Sequence, residues 1–225
     1  DDAGHYAFAS RFGTLEGHIN RSTRLDALPK LQVFGNVDAE GKITGEHPEK
    51  GTLVWHSDKS YVAIPSLFTI LRSPSVARNG GHTLFADMVR AYAALPLEKA
   101  ERLSNLRAVH DWKRSREKSN ERPATAQEIA DAPPVVHPLI RTHPETGGKV
   151  LFVNYGHSIR FKNMTEAESK PVLDFLFAHQ TRPEFTCRFQ WDVGSMAMWD
   201  NRCTQHNPIN DYHGFKRVMH RISIT

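Results

Sequence analysis

The spacing of apolar and polar side chains divides the chain into many short elements. Residues 3–12 read as a helix running into Arg11-Phe12-Gly13, with Gly13 as its stop. Residues 14–50 are polar and carry Gly35, Gly41 and Gly45, so they read as a long, partly mobile excursion. Thr52 to Ile64 and Leu67 to Leu71 are β-branched and aromatic enough for extended structure. Gly80-Gly81 turns the chain into His82-Thr83-Leu84-Phe85. Asp87 can cap a helix from Met88 to Leu95, and Pro96 suits the first turn of the next, Leu97 to Leu103. Leu106 to Trp112 reads as extended, and 113–133 as a charged insert with a short helix from Thr125 to Ala130. Val135 to Thr142 and Lys149 to Asn154 form a strand pair around the turn at 144–148. Val172, Phe175, Leu176 and Ala178 make a helical stripe within Thr165 to His179. Phe185 to Trp191, Ser195 to Trp199 and Val218 to Ile224 read as strands. Many short strands with few helices predict a mainly β fold. The expected form is a sandwich or double-stranded β-helix (jelly roll) core decorated by helices, in one domain over 1–225.

Composition narrows the class. A hydrophobic fraction of 39% and a charged fraction of 24% are ordinary for a globular protein and argue against disorder. The net charge of +4 comes from scattered basic residues. The clusters Lys113-Arg114-Ser115-Arg116 and Lys216-Arg217 are short and lack interleaved aromatics, so no nucleic-acid partner is expected. A small anionic organic molecule is the more natural partner. Cys187 and Cys203 are too few for a disulfide scaffold and read as free thiols. No apolar run approaches the roughly 20 residues needed to span a bilayer. The start, Asp1-Asp2-Ala3-Gly4-His5, lacks signal-peptide features, so a cytoplasmic protein without a membrane partner is expected. Whether it forms a homo-oligomer stays open.

The sharpest local feature is Trp55-His56-Ser57-Asp58. In a strand, residues i and i+2 point to one face, so His56 and Asp58 can present an imidazole and a carboxylate together. A distant second His would complete a two-His, one-carboxylate face with open coordination positions, which suits Fe(II). A lone His-x-Asp arises often by chance, and the plain alternative is a surface strand. His206 stands out for its setting after Trp199-Asp200-Asn201. Arg217, Met219 and Arg221 share one face of the last strand, where each guanidinium could clamp an anion or simply be solvated. Cys203 and His206 form a Cys-x-x-His, but no second pair exists for zinc.

Together these segments resemble the taurine dioxygenase and 2,4-dichlorophenoxyacetate dioxygenase family. The shared features are Trp-His-[Ser/Thr]-Asp-x-[Thr/Ser]-[Phe/Tyr] at 55–61, Gly-Gly-x-Thr at 80–83, Trp-Asp-Asn-x-x-x-x-His at 199–206, and a basic strand from Arg217 to Arg221. A leading segment of typical members is expected to be missing. The resemblance implies Fe(II) held by His56, Asp58 and His206, with O2 as oxidant. It implies 2-oxoglutarate bound through Thr83 and Arg217. It implies Arg221 and the Lys59 amide as partners of the substrate anion. His18 is the suggested counterpart of a substrate-binding His of the taurine enzymes, although its flanking residues differ. The implied reaction converts 2-oxoglutarate to succinate and CO2 while a substrate carbon is hydroxylated. The stretches 164–171, 185–188 and 201–203 look more like the aryloxyalkanoate-degrading members, which favours a carboxylate substrate. Taurine or another sulfonate, an alkyl sulfate, and a non-catalytic jelly-roll binding protein are the alternatives.

Overall fold

A computed structural model describes residues 1–17, 19, 23–38, 40–44, 52–119 and 123–225 of the protein. It opens with α1 (Asp2–Ala9), β1 (Leu15–Glu16), β2 (Arg24–Leu25), β3 (Leu28–Gly35), β4 (Phe68–Ser75) and β5 (Thr83–Asp87). There follow α2 (Met88–Ala93), α3 (Leu97–Leu103), β6 (Arg107–His110), α4 (Trp112–Lys118) and α5 (Ala126–Asp131). Next come β7 (Val135–Pro138), β8 (Ile140–Thr142), β9 (Lys149–Leu151), β10 (Ser158–Phe161) and α6 (Glu166–Gln180). The chain closes with β11 (Thr186–Phe189), β12 (Met196–Asp200), β13 (Thr204–Pro208) and β14 (Val218–Ile224). The fold is mainly β with helices, a jelly roll as expected. No helix among the described residues is long and apolar enough to cross a membrane.

The major sheet runs β12-β4-β14-β3-β2, with β1 on the free end of β14. Alternation along three central strands decides what each face does. Leu31 of β3, Ile70 of β4, and Ile222 and Ile224 of β14 pack with Ala9 of α1 in one apolar cluster. Gln32 and Phe34, Thr69 and Leu71, and Met219 and Arg221 occupy the intervening positions and face the opposite way. A smaller sheet, β11-β5-β13, lies across from that inner face. A second apolar cluster, including Met88, Ala91, Leu103, Leu173 and Leu176, holds α2, α3 and α6 together. Capping boxes at Thr125 and Thr165 start α5 and α6, as the Thr-x-x-Glu spacing predicts.

Two expectations need correction. The segment 14–50 is not simply an excursion, because it contributes β3, a strand paired to β14 from Ile222↔Leu31 to Val218↔Gly35. Pro29, Lys30 and Gln32 hide its alternation, and Gln32 faces a buried polar site rather than solvent. Thr52 to Ile64 is turn and bend rather than strand. Lys59 takes a left-handed φ of 51° and Val62 N–H donates to the Lys59 carbonyl, which folds the chain back on itself. Residues 158–161 and 204–208 form strands that the sequence reading passed over.

His5 lies buried against the outer face of the major sheet. Burial, aided by nearby Arg72 and His220, lowers its pKa from 6.5 to about 4, with Asp2 opposing. The folded state therefore binds this proton less readily than the unfolded chain. Its contribution is complete above pH 6.5 and is lost as pH falls toward 4. We expect this loss to reach roughly 3 kcal/mol for the single site. Denaturant midpoints between pH 7.5 and 4.5 should fall with pH, and His5→Leu should flatten part of that slope. An identical slope in the variant would remove His5 as a cause.

Candidate functional site

His56 and His206 meet through a backbone bridge. His56 N–H donates to the His206 carbonyl at 3.0 Å, and His206 N–H donates back at 2.9 Å. This ties the 55–60 turn to β13. It sets the two imidazole centroids 4.1 Å apart. Asp58 completes the group, and ligand atoms of the three side chains lie within 4.8 Å of one another. All three residues are buried. His56 and Asp58 thus converge by way of a turn and not by strand alternation.

The donor set suits a divalent cation. His56 Nδ1 lies 2.7 Å from the Val54 carbonyl, which can only accept, so that nitrogen carries the hydrogen. The lone pair then resides on Nε2, which is buried without a hydrogen-bond partner among the described residues, 3.9 Å from Asp58 Oδ1. Nδ1 of His206 is likewise buried without a partner among the described residues. Burial pushes the His206 pKa down to about 3 and also lowers that of His56, so both rings are neutral and able to coordinate. Burial works against charge on Asp58, but Arg221, His206, His56 and the Thr69 hydrogen bond hold it well below the usual carboxylate range.

Outer partners fix the carboxylate. Thr69 Oγ1 donates to Asp58 Oδ2 at 2.7 Å, and Arg221 Nη1 donates to Oδ1 at 3.0 Å. Asn201 binds both ends of this network: its Oδ1 accepts from Asp58 N–H at 3.2 Å and its Nδ2 donates to Thr69 Oγ1 at 2.9 Å. Trp199 Nε1 donates to the same Asn201 oxygen at 3.1 Å. Such contacts orient ligands and tune their basicity. Behind these side chains, Gly156 leaves no room for a side chain, since a Cβ there would stand 2.9 Å from His56 Cβ.

Between the two sheets lies a cavity of about 500 Å³, counted with its open mouth. His56 and His206 line it together with Thr83, Arg217 and Arg221. Trp191 Nε1 donates to Thr83 Oγ1 at 3.0 Å, which leaves the threonine proton free to donate elsewhere. Arg217 is held by its Nε donating to the Gly81 carbonyl at 3.1 Å and by the Tyr212 ring 5.3 Å away. Gly80 and Gly81 have φ of 77° and 68°, and a Cβ on Gly80 would stand 2.4 Å from Asp211 Oδ1. The Gly-Gly pair is therefore required by the turn that presents Thr83.

The structure brings His56, Asp58, His206, Thr83, Arg217 and Arg221 to one place. Lys59 adjoins them, but its ammonium is committed to Glu16 and the Gly17 carbonyl, each at 2.9 Å. His18 lies outside the described residues. Cys203 groups with His143 and Asp200 rather than with His206. That second cluster is internally satisfied, because His143 Nε2 lies 3.0 Å from Asp200 Oδ2 and Arg202 binds both oxygens of the same carboxylate. Sequence reading missed Gln32, Thr69 and Trp191, which carry no motif of their own. His157, read from the sequence as structural or exposed, packs edge-on to His56 with centroids 6.2 Å apart.

The chain is similar to known proteins along most of its length. Residues 1–223 match the family described as "Taurine catabolism dioxygenase TauD, TfdA family". The chain is 34% identical over 208 residues to the alpha-ketoglutarate-dependent 2,4-dichlorophenoxyacetate dioxygenase of Cupriavidus pinatubonensis, covering 89% of this chain and 72% of that enzyme. It is 31% identical over 219 residues to the (S)-phenoxypropionate/alpha-ketoglutarate-dioxygenase of Sphingobium herbicidovorans, covering 95% and 74%. Among solved structures, AAD-2 in complex with Mn(II) and N-oxalylglycine matches with a TM-score of 0.86 at 30% identity, over 100% of this chain and 78% of that one. The chain belongs to the TauD/TfdA family of alpha-ketoglutarate (2-oxoglutarate)-dependent dioxygenases.

Proposed function

We propose that this dioxygenase uses Fe(II), O2 and 2-oxoglutarate to hydroxylate a small organic anion, with an aryloxyalkanoate-like carboxylate preferred. The observation that carries the reading is one cavity bordered by the His56–His206 pair and by two buried guanidinium groups. His56, Asp58 and His206 would hold the metal. Bound Fe(II) supplies the activation of O2 that couples 2-oxoglutarate decarboxylation to hydroxylation.

Arg217 and Thr83 would bind the distal carboxylate of 2-oxoglutarate. A guanidinium in a nearly dry pocket offers paired N–H donors to one carboxylate, and the Thr83 hydroxyl adds a third. Arg221, with the Lys59 amide nearby, would receive the substrate anion. Phe34, Leu71, Trp199, Pro208 and Met219 give the same cavity apolar walls, which suit a hydrophobic body attached to that anion. The walls exclude water from the reacting carbon.

A carboxylate and a sulfonate both satisfy an arginine, so taurine-like sulfonates and alkyl sulfates are the second reading. The test is succinate formation across aryloxyalkanoates, sulfonates and alkyl sulfates, with Fe(II) and 2-oxoglutarate supplied. Aryloxyalkanoates should give the highest kcat/KM and taurine a lower one. A neutral ester turning over as fast as its acid would remove the anion-binding role. Complete absence of succinate with every compound would favour a non-catalytic jelly-roll binder.

A further inference from the structure

Arg221 borders the cavity, yet most of its donors are already engaged. Nε and Nη2 both donate to Gln32 Oε1, at 3.1 and 2.9 Å. Nη1 donates to Asp58 Oδ1 at 3.0 Å. Of the five N–H groups on a guanidinium, three are thus used among the described residues and two remain. The Phe34 ring lies beneath the group, 4.5 Å from its central carbon.

Gln32 is itself fixed. It is 3% exposed and stands opposite Arg221 in the β3–β14 register. Its Nε2 donates to Thr23 Oγ1 at 3.0 Å, which sets the amide so that the oxygen faces Arg221. A carboxylate at this position would hold the arginine at least as firmly, because charge-assisted hydrogen bonds are stronger than neutral ones. It would also add a second negative charge beside an arginine already paired with Asp58. The amide accepts the same two hydrogen bonds without that second charge.

We propose that Gln32 is a specificity-determining positioning residue. It orients Arg221 without adding a second carboxylate to the one at Asp58, so that the two remaining N–H groups receive the substrate anion. The inference rests on the reading of Arg221 as the substrate-anion partner.

Two substitutions separate orientation from charge. Gln32→Glu keeps the acceptor and supplies a second counter-ion beside Asp58. It should raise KM for the best acid about tenfold, with a smaller change in kcat and with 2-oxoglutarate affinity within about twofold. The neutral ester of that acid should be nearly unaffected, so discrimination between acid and ester collapses. Gln32→Leu removes the acceptor. It should raise KM as well and increase succinate formed without hydroxylated product, because a misplaced anion leaves the carbon out of reach. Equal losses for acid, ester and 2-oxoglutarate would indicate a packing defect and overturn the proposal, as would an unchanged KM for the acid in Gln32→Glu.

One readout does not need turnover. Hydrogen exchange of Arg221 Nε–H, followed by 15N NMR in the metal-free protein, should be slow in the parent and in Gln32→Glu and fast in Gln32→Leu. Fast exchange in the parent would overturn the positioning role even if no acid proved to be a substrate. Slow exchange together with no succinate from any acid would instead overturn the reading of the site on which the charge argument depends.

Discussion

Asp58→Ala is expected to abolish tight divalent-metal binding and succinate formation, and also to destabilise the metal-free protein by roughly 3–5 kcal/mol. The first effect follows from losing the one anionic donor beside His56 and His206. The second arises on the other side of the carboxylate. Asp58 Oδ1 is the acidic partner of Arg221, and both side chains are almost fully buried. Removing Asp58 leaves a buried guanidinium facing only the neutral Gln32 oxygen, and the Thr69 hydroxyl loses its acceptor. A buried charge without a counter-ion is far less stable than either a paired charge or no charge. The double variant Asp58→Ala/Arg221→Leu should therefore regain much of the stability and none of the metal binding. Calorimetric metal titration and denaturant unfolding read the two effects separately. Normal stability in Asp58→Ala would show that Arg221 finds another partner, and retained metal affinity would remove Asp58 from the donor set.

Arg217→Ala is expected to weaken 2-oxoglutarate binding about a hundredfold, from the loss of charge-assisted hydrogen bonds in a desolvated site. Its effect on stability should be much smaller than that of Asp58→Ala. Arg217 has no buried carboxylate opposite it among the described residues, since its Nε donates to a backbone carbonyl and its ring contact is Tyr212. Removing it leaves the Gly81 carbonyl short of one donor but strands no charge. Burial already lowers the Arg217 pKa, so the group sits at an electrostatic cost that a bound carboxylate would relieve. Thr83→Val should show a smaller loss, near tenfold or below, because it removes one neutral hydroxyl and frees Trp191 Nε1. Equal 2-oxoglutarate affinity in Arg217→Ala and the parent would sink the assignment.

The contrast between these two arginines shows where sequence reading ends. Arg221 lies on β14 and Arg217 immediately precedes it, both lining one cavity, and the alternation Arg217, Met219, Arg221 was legible from spacing alone. Their environments were not. The cavity presents Arg217 with a carbonyl and an aromatic ring, and Arg221 with Asp58 and Gln32. Gln32 carried no signal, since it sits on a strand whose polar start masked its pattern.

By itself the sequence determined the strand-rich class, the helix starts at Asp87, Thr125 and Thr165, and the residue types of the centre. Those features are local: caps act over three or four residues, and alternation needs only a single strand. The order of His56-x-Asp58, Gly80-Gly81-x-Thr83 and Asn201 to His206 also survived intact, because each is a short turn or strand segment whose spacing its backbone requires. Only the tertiary structure decided how these pieces meet. The bridge between His56 and His206 joins residues far apart in the chain and turns a common His-x-Asp spacing into a candidate three-donor face. The network from Trp199 through Asn201 and Thr69 to Asp58 likewise spans three separate segments. Buried hydrogen bonds of this kind depend on which acceptors the fold excludes from water, and that is a property of packing between sheets and not of any one strand.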